Sequence, residues 1–132
     1  MNAFFVVAFA TLQTLGATSW ETRTLKSLLT PESHWTPTAV NGSCCGPWQT
    51  NHYVVSSLLG ERVTCEDLQT KPEVAAKAAL AALRENVKAC KTNWRCGWRH
   101  GPYSETCQKD KLCRHPGKVK PDVHRVQRNR HP

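Results

Sequence analysis

The chain has 132 residues, a formal net charge of +8, 39% hydrophobic residues and seven cysteines. That length suits one domain. Its apolar runs fall short of the ~20 residues a helical membrane span needs. With no Cys-x-x-Cys pair, the cysteines do not read as a structural zinc site. The positive balance gives affinity for anionic polymers, either cell-wall material or nucleic acid.

Residues 3–12 are almost wholly apolar, and the small residues Gly16, Ala17 and Ser19 follow. This is the pattern of an export signal with a cleavage site after Ala17 or Ser19. The competing reading is a first core helix or an uncleaved anchor. Seven cysteines in a short chain agree with export to an oxidising compartment, where up to three bridges form and one thiol is left over. The expected organisation is a signal at 1–19, a domain at 20–113 and a basic disordered tail at 114–132. That tail carries six Lys or Arg against one Asp. It would bind an anionic wall polymer, with simple solvation as the alternative.

Leu25, Leu28 and Leu29 share one helical face, so residues 19–29 read as a helix capped by Ser19. Pro31 disfavours helix at Thr30, which predicts a break just before Glu32. Residues 36–47 carry turn signals at Pro37, Asn41-Gly42 and Gly46-Pro47. A short helix is expected within 48–59, ended by Gly60. The clearest helix is 71–89, with Thr70 as cap, Glu73 completing a capping box and Pro72 in the first turn. Its Ala-rich interior carries a stripe of Ala76, Leu80, Leu83 and Val87. Beyond it, Cys90, Cys96, Cys107 and Cys113 are symmetric in spacing and predict a cross-linked, loop-rich cap.

On residue type alone Glu32 is an ordinary surface acid. Burial would raise its proton affinity enough for acid catalysis, and Trp35 and Leu28 stand near it in sequence. The six histidines are scattered without metal spacing.

Glu32-Ser33, followed by Trp35, Pro37, Ala39-Val40-Asn41 and Gly46-Pro47-Trp48-Gln49, resembles the signature of SLT-type lytic transglycosylases and goose-type lysozymes. The resemblance implies a mainly α, α+β lysozyme-like fold: a small helical domain with a central Ala-rich helix and disulfide-linked C-terminal loops. It implies that Glu32 is the single acid/base at a helix end and that Gln49 lines the cleft. Asn41 or Ser43 matches the polar position beside the substrate's acetamido group. The family places a Tyr against the acid, and Trp98 or Tyr103 stands in the corresponding region. Trp48 and Trp98 flank the motif positions and read as sugar-stacking platforms, with core packing as the competing reading.

No acid inside the motif supplies the second carboxylate that an inverting hydrolase places about 6.5–9.5 Å from the first. A one-carboxylate site suits a lytic transglycosylase, and the resemblance implies one that cuts the MurNAc–GlcNAc bond of peptidoglycan. It would act as an exported, periplasmic or extracellular monomer, without metal or cofactor and without a specific nucleic-acid partner. The alternatives are a catalytically silent wall-binding protein of the same fold and a cysteine-rich secreted effector.

Overall fold

The computed structural model describes residues 2–109 and 113. It is mainly helical, with one small antiparallel sheet, and divides into units at residues 1–81 and 82–132. The basic tail lies outside the described residues. No helix among the described residues is long and apolar enough to cross a membrane.

The first unit opens with α1 (Ala3–Thr14), started by the Asn2 side chain accepting from the Phe4 N–H. Phe5, Ala8 and Leu12 form its buried stripe. Phe5 and Phe9 meet the Trp35 ring edge-on, at centroid distances of 5.0 and 6.0 Å. The Lys26 ammonium sits 4.7 Å from the Phe9 ring centroid.

Helix α2 (Ser19–Ser33) begins one residue earlier than expected. Thr18, not Ser19, is the cap, and Glu21 completes a capping box with it. Leu25, Leu28 and Leu29 are buried as the periodicity predicts. The expected break at Thr30 does not occur, because Pro31 lies inside the helix. Proline removes one N–H and crowds one carbonyl, a local cost that a last turn packed on its neighbours absorbs. The break comes at His34 and Trp35, both with positive φ (53° and 61°), an uncommon conformation for residues with side chains.

Strands β1 (Val40–Asn41), β2 (Cys44–Cys45) and β3 (Thr50–Asn51) form an antiparallel sheet in the order β1-β2-β3. The register aligns Asn41, Cys44 and Asn51 in one row, and Val40, Cys45 and Thr50 in the next. Helix α3 (His52–Leu59) starts from the Asn51 side chain, which accepts from the Tyr53 and Val54 N–H groups. It ends, as expected, at Gly60 in the left-handed conformation.

Helix α4 (Cys65–Thr70) has its own capping box between Thr64 and Asp67, and Lys71 pairs with Asp67 at 2.9 Å. The backbone N–H of Thr64 and then the Lys71 ammonium hold the Asp67 carboxyl below the usual carboxylate range. The predicted capping box on Thr70 and Glu73 is corrected: Thr70 is the last residue of α4, and its hydroxyl donates to the Glu66 carbonyl.

The Ala-rich helix is α5 (Pro72–Cys90), which starts in the first unit and ends in the second. Ala75, Ala76, Ala78, Ala79, Leu80 and Leu83 are buried along it.

The second unit is more helical than the loop-rich cap expected for it. A 3-10 turn (Lys91–Asn93) leads into α6 (Trp94–His100), and α7 (Glu105–Gln108) follows. The symmetric cysteines pair in nested fashion, Cys90 with Cys113 and Cys96 with Cys107. Their sulfurs pack with Ala89 and Tyr103 in one small core. Closing loops of these sequence separations, 23 and 11 residues, each contributes about 3 kcal/mol in the chain-entropy account.

Candidate active site

Glu32 occupies the last turn of α2 and is partly buried. The expected helix-end position is met, although through a continuous helix. The left-handed residues His34 and Trp35 then turn the chain away.

The sheet follows the helix end in the chain. Successive residues of a strand face opposite sides, and Cys45 is committed to one side by its disulfide to Cys65 at the start of α4. Cys44 therefore faces the other side, in register with Asn41 and Asn51. It is the one free thiol of the seven cysteines and is half-buried. Burial pushes the Cys44 thiol up, and the negative charge of Glu32 pushes it up further. The Glu32 charge thus reaches the Cys44 thiol.

The Gly46–Gln49 turn holds this sheet against its surroundings. Gly46 has φ +84°, and a Cβ there would come within 2.6 Å of the Leu68 carbonyl oxygen. Only glycine lets β2 approach α4 this closely. Gln49 is partly buried at φ 53°. Its backbone N–H and its side-chain amide both donate to the Gly46 carbonyl, at 3.1 and 2.9 Å. Ser43 is partly buried in the β1–β2 turn, and its carbonyl accepts from the His52 N–H. Asn41 is exposed on β1.

The sugar-stacking assignment of Trp48 is corrected. Trp48 is 1% exposed, and its indole N–H donates to the Leu25 carbonyl at 2.8 Å. A ring with no open face cannot stack on a sugar; Trp48 instead ties the turn to the middle of α2. Tyr103 is also buried, and its hydroxyl donates to the Glu85 carboxylate. Trp98 is half-buried on α6. Both Tyr103 and Trp98 belong to the second unit, whereas Glu32, Asn41, Ser43, Trp48 and Gln49 belong to the first.

Sequence reasoning missed Cys44 and the Glu85–Tyr103 pair. The odd cysteine was the available signal for Cys44. No spacing rule announced the Glu85–Tyr103 pair, which forms because α5 and the α6–α7 connection meet in the second unit's core.

A mainly helical chain with a small sheet and disulfides in its C-terminal region is consistent with the small lysozyme-like class of domain. The family model of the transglycosylase SLT domain matches residues 12–98, and the chain belongs to that family. The family comprises lytic transglycosylases, which act on peptidoglycan outside the cytoplasm. Comparison with curated proteins gives no match, and neither does comparison with solved structures.

Proposed function

We propose that this protein is an exported lytic transglycosylase that cleaves the MurNAc–GlcNAc bond with Glu32 as its single acid/base. The observation that supports this reading best is the position of Glu32, at the end of α2, where its charge reaches the Cys44 thiol. Asn41, Ser43 and Gln49 are the polar contacts of the bound sugar, and Trp98 is the remaining stacking candidate.

In this reading the Glu32 carboxyl gives its proton to the glycosidic oxygen as the C1–O bond of the muramic residue breaks. The resulting carboxylate then takes the proton from the muramic C6 hydroxyl. The C6 oxygen closes on C1, giving a 1,6-anhydro ring and a restored acid. No water enters the products.

Export is part of the proposal, supported by three disulfides, which persist in oxidising compartments. The N-terminal residue of the exported protein decides whether 1–19 is removed or stays as the first core helix. A monomer whose 114–132 tail contacts an anionic wall polymer completes the reading.

The buried partnership of Tyr103 with Glu85 favours one second reading, a wall-binding protein of the same fold with little or no catalysis. Digestion of purified peptidoglycan decides between them. Wild type is expected to release muropeptides with 1,6-anhydro ends, and Glu32→Gln to release none. Reducing ends would mark a hydrolase. Binding to intact peptidoglycan without any products would establish the second reading.

A further inference from the structure

The turn of α2 that carries Glu32 has weakened backbone support. Pro31 offers no N–H to the carbonyl four residues back. His34 and Trp35, which follow the helix, both hold the left-handed conformation. Residues with side chains stay in that region only where their surroundings hold them there. The closing bonds run back into the same turn. The His34 N–H donates to the Thr30 carbonyl at 3.0 Å, and the Trp35 N–H to the Leu29 carbonyl at 3.3 Å. The Trp35 indole N–H donates to the Thr30 hydroxyl at 3.1 Å. Two of these three bonds pass through Trp35, so the place of its ring fixes the turn.

That ring is met by α1. Phe5 and Phe9 stand one helical turn apart on the same face, with centroids 6.0 Å from each other, and both present edges to Trp35. Edge-on contacts set the angle of a ring, which shapeless apolar filling does not. Phe5 is buried in the core, and the Lys26 ammonium of α2 sits over Phe9. The pair is thereby tied to the helix it steadies.

The link between the two helices is ordered as well. The Ala17 N–H donates to the Leu12 carbonyl at 2.9 Å, and Thr18 caps α2. The family match begins at residue 12, ahead of both sites where an export signal would be cut. A cut after Ala17 or Ser19 would remove both phenylalanines.

We propose that Phe5 and Phe9 are positioning residues for Glu32: they hold the Trp35 ring, and with it the left-handed turn that ends α2, so that α1 belongs to the working protein. This rests on the reading of Glu32 as acid/base and deepens it.

The test uses the full-length, disulfide-bonded protein. Phe9→Ala is the main variant, and Phe5→Leu keeps apolar bulk in the core. Val6→Ala, at a position 54% exposed on α1, is the control. Hydrogen exchange at the His34 and Trp35 amides should speed up about tenfold in Phe9→Ala, relative to Leu28 and Leu29 of the same helix. Phe5→Leu should show the same change in smaller measure, and Val6→Ala none. With soluble glycan strands, kcat should fall about fivefold or more in Phe9→Ala while KM stays within about twofold. A merely structural α1 would lower thermal stability and leave kcat in place.

Unchanged exchange at His34 and Trp35 overturns the proposal. So does faster exchange with an unchanged kcat, and so does a working form that begins at Thr18 or Trp20. If wild type does not cleave, the acid/base reading fails by itself, and the alkylation profile of Cys44 decides the positioning, because the Glu32 charge reaches that thiol. The profile should then move in Phe9→Ala in the same direction as in Glu32→Gln, and a profile that stays at the wild-type position overturns the proposal.

Discussion

The Glu32 carboxylate and the Cys44 thiol act on one another across the end of α2 and the middle strand of the sheet. The thiol proton is held more tightly than usual, first by burial and then by the Glu32 charge. At neutral pH Cys44 is therefore a neutral thiol, a poor nucleophile.

The sign of this coupling can be measured. Alkylation of Cys44 by iodoacetamide should be slow at neutral pH and accelerate at higher pH than for a free thiol, since the thiolate is the reactive form. In Glu32→Gln the opposing charge is gone, and the whole profile should move to lower pH. Burial remains, so the profile should stay above that of a free thiol. The same linkage predicts that stability is full below the unfolded thiol's value near 9 and declines as pH rises past it. An unchanged profile in Glu32→Gln would mean that the two groups are not neighbours.

Trp48 links the Gly46–Gln49 turn to α2 through its bond to the Leu25 carbonyl. Trp48→Phe keeps most of the buried area and removes the donor, so a loss of about 1–3 kcal/mol is expected. Chemical denaturation measures it. A sugar-stacking role would instead leave stability unchanged and weaken substrate binding.

Phe5 is 1% exposed and packs on Trp35. In the full chain Phe5→Ala should cost about 3–5 kcal/mol, the range for a buried aromatic cut to alanine. Thermal unfolding of the intact chain gives the answer, and a shift of only a few tenths would show that α1 contributes little to the core.

Tyr103→Phe removes the hydroxyl that bonds to Glu85 and leaves that carboxylate short of a donor. A destabilisation of about 1–3 kcal/mol is expected. Because this pair belongs to the second unit's own core, the pH dependence of peptidoglycan cleavage should not move. A shifted pH profile would tie Tyr103 to the reacting acid.

Much of the first unit was legible because it rests on local rules. The leucine face of α2, the Gly60 stop and the Ala-rich helix follow from side-chain spacing and backbone freedom. Local rules also failed in specific places. Pro31 predicted a break, yet the helix passes it, since packing of Leu28 and Leu29 outweighs one missing hydrogen bond. Thr70-x-x-Glu73 matched a capping box, yet Thr64-x-x-Asp67 captured the helix start and placed Thr70 inside α4. The sheet went unseen because each strand has two residues, too few for any alternation to register.

By itself, the sequence determined the mainly helical class, the family and the odd number of thiols, because these follow from residue order and short-range spacing. Tertiary structure alone decided which cysteine stays free, that Trp48 faces the core, that Tyr103 meets Glu85 and that the Glu32 charge reaches Cys44. Those outcomes depend on which distant segments touch. Contacts such as the close approach of Gly46 to Leu68 are set by the packing of whole elements, which no local pattern encodes.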